Sequence, residues 1–255
     1  MPSLARRVRA LWRIARALLH LVYGMLLVWF FFGRSPNDGA VRMRHAQRWS
    51  AGFLRLLGVR LETNGTPRPG AKLIVANHVS WLDILAIDAV EPARFVSKAE
   101  VRHWPLFGRL AVAVQTLFIE RDRARDALRV VHQMAEALRA GDTLAVFPEG
   151  TTSDGRELLP FHANLLQASI ATDTPVQAVA LRFSDETSAF SAAVEYVGDT
   201  TLGQSVWAIA CAQGLCVHVD VLPAQSVGHA DRRRLAARLR EEIGAALGIE
   251  EVPAP

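Results

Sequence analysis

Residues Leu73-Ile74-Val75-Ala76-Asn77-His78-Val79-Ser80-Trp81-Leu82-Asp83 decide how the chain is read. Four consecutive apolar residues make a buried strand, and the polar cluster that ends it opens a helix. In α/β folds the C-terminal ends of strands are where reacting groups stand. Histidine is the side-chain type that exchanges protons near neutral pH, and His78 is the only one in this cluster. Asp83 lies about one helical turn further on, where it can accept a hydrogen bond from one ring nitrogen. The other nitrogen is then free to take a proton from a hydroxyl. On these residues alone a second reading stays open, in which Ser80 caps the helix and His78 only closes a hydrogen-bonded turn.

Two further clusters follow apolar strands. Phe147-Pro148-Glu149-Gly150-Thr151-Thr152-Ser153 sets a glycine among hydroxyls and backbone N–H groups, an arrangement suited to an anion or a polar head group. Phe118-Ile119-Glu120-Arg121 puts an arginine at a strand end, where it can grip phosphate bidentately or pair with Glu120 or Asp122.

From Gly58 onward short apolar runs alternate with helical patterns. The strand candidates are Leu73–Ala76, Arg94–Val96, Thr116–Ile119, Thr143–Phe147, Val176–Leu181, Ala193–Val197 and Leu215–Val221. Ala124, Leu128, Val131, Ala135 and Leu138 recur at helical spacing, and Gly141 stops that helix. Leu235, Leu239, Ile243 and Leu247 repeat the pattern, with Asp231 as N-cap. The expected fold is a single α/β domain over residues 58–249, with a mixed, mostly parallel sheet flanked by helices. Residues 250–255 form a frayed tail.

The first quarter differs. Residues 1–60 hold eleven arginines, no lysine and one acid, Asp38, whereas the rest of the 255-residue chain is net acidic. Leu18–Phe32 carries no formal charge and spans about 22 Å as a helix, short of the roughly 30 Å hydrocarbon core of a bilayer. Reaching back to Leu11 lengthens it but includes Arg13 and Arg16, which must then snorkel. Basic residues on both flanks keep both ends on the cytoplasmic face of the cell membrane. Residues 1–57 therefore read as an anchor: a helix dipping into one leaflet, then an amphipathic helix near 40–57 returning along an anionic lipid surface. A simple span is the alternative. Trp29-Phe30-Phe31-Phe32 offers no signal-peptidase site.

Other classes are set aside. Basic residues interleaved with aromatics are missing from the acidic body, which argues against nucleic acid. No Gly-x-Ser-x-Gly elbow of a serine hydrolase occurs. Cys211 and Cys216 are too few for a disulfide framework or a four-ligand zinc site and read as small apolar residues.

The order NHVSWLD, FIER, FPEGTTS resembles the 1-acylglycerol-3-phosphate acyltransferase family of glycerolipid acyltransferases. Lys98–Gly108 (KAEVRHWPLFG), Leu159-Pro160-Phe161-His162 and Pro175–Leu181 look like its connecting and later blocks, so the likeness covers roughly residues 70–182. It implies an enzyme in which His78, held by Asp83, is the general base on a lysolipid hydroxyl. That hydroxyl attacks the thioester of an acyl-CoA or acyl-carrier protein, giving phosphatidic acid without a covalent acyl-enzyme on Ser80. Arg121, Glu149, Gly150 and Thr151, with Lys98, make up the implied head-group site, and Asn77 shapes the turn. No metal or bound cofactor is implied. The chain departs from the family pattern at Gln115, where glycine is common, at Thr152, where arginine is frequent, and at Ala178, where proline is usual. Lyso-ornithine lipid acyltransferases look similar and use an acceptor without phosphate.

Overall fold

The computed structural model describes residues 3–32, 39–104, 107–119 and 124–249. Among these, seven strands form one sheet: β1 (Arg60–Gly65), β2 (Lys72–Ala76), β3 (Arg94–Lys98), β4 (Leu117–Ile119), β5 (Thr143–Val146), β6 (Val176–Ser184) and β7 (Cys216–Val221), in the order β1-β7-β6-β2-β5-β3-β4. Every neighbouring pair is parallel except β6 with β7.

Both faces are covered, as a mostly parallel sheet requires. Successive residues of β2 point to opposite faces. Ile74 and Ala76 enter a core shared with helices α1 (Leu4–Leu27), α2 (Gly39–Leu57), α3 (Leu82–Val90) and α7 (Leu202–Cys211). Leu73 and Val75 enter a second core with α5 (Ala124–Arg139), α6 (Gln167–Thr172) and α8 (Arg232–Leu247). A short helix, α4 (Phe107–Ala113), leads into β4. The tail 250–255 lies outside the described residues.

One sequence-derived strand needs correction, and one strand was missed. Ala193–Val197 is a loop, in which Val194 is buried and Tyr196 N–H donates to Val79 O (3.4 Å), so its apolar residues anchor a crossing rather than a ladder. Conversely β1, which no apolar pattern announces, is an edge strand paired to β7, with only Leu61 partly buried. The two predicted amphipathic helices form as α5 and α8, with Gly141 at φ +96° after α5 and Asp231 capping α8 by accepting from Arg233 N and Arg234 N.

The apolar N-terminus forms one continuous helix through Leu27, extended by a π-helical turn at Val28–Phe32, and Leu4–Phe30 is long and apolar enough to cross a membrane. It nonetheless lies along the domain: Ala10, Ala17, Leu21 and Gly24 are buried, whereas Leu11, Trp12, Leu18, Leu19 and Val22 are exposed. Arg13 does not snorkel. Its Nη1 donates to Ala210 O (3.0 Å) and Ala212 O (2.8 Å), carbonyls at the C-terminus of α7 that lack intrahelical partners.

Candidate active site

Because β2, β5, β3 and β4 run parallel, their C-terminal ends meet at one edge of the sheet. His78 follows β2, Glu149 follows β5, and Lys98 is the exposed last residue of β3. Arg121, beyond the end of β4, lies outside the described residues, as does Glu120.

The turn after β2 is held at both ends. Asn77 is fully buried. Its Nδ2 donates to Leu181 O (2.9 Å) and its Oδ1 accepts from Leu181 N (2.8 Å), which ties the end of β2 to β6 as a further rung of the ladder. Asp83, in the first turn of α3 and fully buried, reaches backwards. Its Oδ2 accepts from His78 Nδ1 (2.8 Å), Val79 N (2.7 Å) and Ser80 N (2.9 Å). A carboxylate only accepts, so the ring proton sits on Nδ1 and Nε2 keeps its lone pair. The His78 ring stacks on Phe147 with centroids 4.0 Å apart, and Phe147 stacks in turn on Phe95. The imidazole is thus fixed in tautomer and in plane.

Ser80 does not cap α3; Trp81 occupies that position without a side-chain hydrogen bond. The Ser80 hydroxyl is fully buried and has no hydrogen-bond partner among the described residues. It is walled off from any substrate.

The loop after β5 folds back over the same turn. Ser153 N donates to His78 O (2.8 Å). Glu149 is buried, its Oε1 accepting from His78 N (2.7 Å) and its Oε2 from Leu159 N (3.0 Å), so one carboxylate clamps the His78 turn to the loop. Burial pushes its pKa up to about 7, against the two backbone N–H groups that favour the charged form. Gly150 adopts φ +75°, a left-handed conformation that favours glycine, and Thr151 beside it is exposed. Thr152 Oγ1 donates to Tyr196 O, so its side chain is committed to the neighbouring loop. Arg156 is committed as well, to Glu195 (2.8 Å), Asp154 (3.3 Å) and Phe190 O (3.2 Å).

Beyond Phe95, the far end of that aromatic stack, lies an apolar cavity walled by Leu27 and Val28 near the end of the N-terminal helix and by Trp49, Trp81, Phe95 and Phe107. The buried Asp88 also lines it. Ala93 N donates to Asp88 Oδ1 (3.1 Å), and burial pushes this carboxyl up to about 7. Neither the Phe147 stack nor the cavity was legible in the motifs. A ring directly after a strand reads as core, and the cavity is assembled from elements far apart in the chain.

An α/β protein that carries a carboxylate-steadied histidine at the C-terminal edge of a mostly parallel sheet is the class that this fold and site define. Residues 59–182 match the Acyltransferase family. The chain is 38% identical over 230 residues to the 1-acyl-sn-glycerol-3-phosphate acyltransferase of Neisseria meningitidis, covering 86% of this chain and 89% of the relative. It is 35% identical over 246 residues to the lyso-ornithine lipid O-acyltransferase of Pseudomonas aeruginosa, covering 94% of each. Its fold matches the crystal structure of the 1-acyl-sn-glycerophosphate acyltransferase from Thermotoga maritima with a TM-score of 0.72, at 19% identity and over 98% of each chain. The chain belongs to the acyltransferase family.

Proposed function

We propose that this enzyme moves a fatty acyl chain from coenzyme A or an acyl-carrier protein to the free hydroxyl of 1-acylglycerol 3-phosphate, forming phosphatidic acid at the cytoplasmic face of the cell membrane. The observation that carries the reading is the 2.8 Å contact of His78 Nδ1 with Asp83 Oδ2, which turns the ring so that Nε2 is left for the acceptor. Nε2 takes the proton of the acceptor hydroxyl as its oxygen attacks the thioester carbonyl. The C–O bond forms, the C–S bond breaks, and the proton passes to the departing thiolate. Asp83 stabilises the imidazolium formed on the way. No residue becomes acylated, in keeping with the buried Ser80 hydroxyl.

Arg121, Gly150, Thr151 and Lys98 serve the acceptor head group. Glu149 and Asn77 support that site by holding the turn through backbone hydrogen bonds. The apolar cavity takes the fatty chain, and its position against the N-terminal helix supports entry from a bilayer. The exposed apolar side of that helix, together with its arginines, supports attachment to anionic lipid in the plane of the membrane.

Purified enzyme supplied with one acyl-CoA and a panel of lysolipids tests the acceptor. Turnover is expected to be fastest with 1-acylglycerol 3-phosphate, and faster release of free fatty acid than of acylated lipid would overturn the reading. Repeating the assay with acyl-carrier protein separates the donors. A second reading, lyso-ornithine lipid as acceptor, is favoured by one observation. Thr152 stands where an arginine is frequent, and Arg156 is held by Asp154 and Glu195 instead of replacing it. Preference for the ornithine acceptor in the same panel selects that reading.

A further inference from the structure

The face of β1, β7 and β6 that points away from the α1–α2 core carries a cluster that acyl transfer does not use. Cys216 and His218 are two residues apart on β7 and so project to the same side. Glu62 on β1 is the register partner of His218, and Ser184 on β6 is the register partner of Cys216. One donor atom from each of Glu62, Cys216 and His218 lies within 4.8 Å of the other two. His218 Nδ1 is 3.2 Å from Glu62 Oε2, and its Nε2 is 2.7 Å from Ser184 Oγ.

We propose that Glu62, Cys216 and His218 form a binding site for one zinc ion. A thiolate, an imidazole and a carboxylate are the donors that zinc takes in tetrahedral sites. Here they stand on two hydrogen-bonded strands, so little backbone freedom is lost on binding. The side chains need to close by only about 1 Å to reach the spacing that metal bonds of roughly 2.0–2.3 Å require. Ser184 supplies the outer support: accepting the Nε2–H of His218, it leaves Nδ1 to face the metal. Cys216 gives up its thiol proton on binding, and water takes the fourth position beside the exposed Glu62. The ion ties edge strand β1 to β7. A chain with two cysteines cannot build a four-thiolate centre; this mixed set becomes visible only when β1 and β7 are brought together.

The test uses the full chain, stripped by a chelator and titrated with Zn²⁺ against a chromophoric competitor. The expected result is one ion per chain, with affinity falling at least about 100-fold in Cys216→Ser and about 10–100-fold in Ser184→Ala. Co²⁺ in place of zinc is expected to show thiolate-to-cobalt charge-transfer absorption that vanishes in Cys216→Ser. Because Cys216 is buried, Glu62→Gln provides the control at an exposed side chain, weakening zinc while the unfolding temperature in chelator stays unchanged. One-to-one binding that survives Cys216→Ser, or wild-type affinity no better than that of a chain carrying Glu62→Gln, Cys216→Ser and His218→Ala together, overturns the proposal.

Discussion

Three hydrogen bonds converge on one oxygen of Asp83, and two of them come from the backbone that carries His78. The carboxylate therefore sets both the ring and the turn on which the ring stands. His78→Ala is expected to lower kcat at least about 100-fold. Asp83→Asn leaves an acceptor in place but no charge to balance an imidazolium, so its loss is expected in kcat rather than in KM. Ser80→Ala, at a buried hydroxyl, is expected to retain most of its turnover, measured in the same assay. The histidine and aspartate were legible from their spacing after an apolar strand. The clamping role of Glu149 was not, because a glutamate in a loop carries no sign of which backbone N–H groups it meets.

Asp88 invites a separate prediction. Its carboxyl titrates near 7 in the folded chain and near 4 when exposed, so between those values the folded state binds more protons than the unfolded one. Its contribution to stability is present below about pH 4 and is lost as pH rises through 7. Asp88→Asn is expected to remove that slope. Urea unfolding at a series of pH values should show wild type losing as much as a few kcal/mol relative to the variant across this window. Parallel curves would mean that the cavity is wetter than its lining implies.

Among the elements, the end of α4 accounts for one departure from the family pattern. Gln115 N donates to Val112 O (3.0 Å) and Thr116 N to Ala111 O (3.0 Å), the paired bonds of a helix closed by a left-handed residue. That residue is Gln115, at φ +59°, where the family commonly has glycine. Gln115→Gly is expected to stabilise the chain by about 1 kcal/mol, read as a shift of the urea midpoint. Gly58, at φ +84°, closes α2 in the same way, so the two turns differ only in whether sequence suits shape. The strands divide along similar lines. Those of the buried centre could be read from their apolar runs. The edge strand β1 could not, since Glu62, Thr63 and Asn64 face solvent, and Ala193–Val197 imitated a strand because a loop pinned over Val79 also needs apolar anchors.

For the whole molecule, the N-terminal helices are part of the fold as well as a candidate anchor. Ala17, Leu21, Phe53, Leu54 and Leu57 belong to the same core as Ile74 and Phe183. A chain beginning at Val59 is therefore expected to lose several kcal/mol of stability, beyond any effect on lipid binding. Polar substitutions confined to Leu11, Trp12, Leu19 and Val22, all exposed, should instead release the enzyme from lipid vesicles at unchanged unfolding temperature. Flotation and thermal unfolding of the same variants separate the two roles.

The pairing of Arg60 with Cys216 has a consequence for biosynthesis. Strand β1 leaves the ribosome long before its only neighbour, and at 5–20 residues per second the delay is on the order of ten seconds. During that interval α1 and α2 are already made, but most of the core surface that will bury Leu21 and Leu57 is not. A nascent chain in this state leaves both sides of its first helix uncovered, so Leu21 and Leu57 wait for partners that are synthesised last.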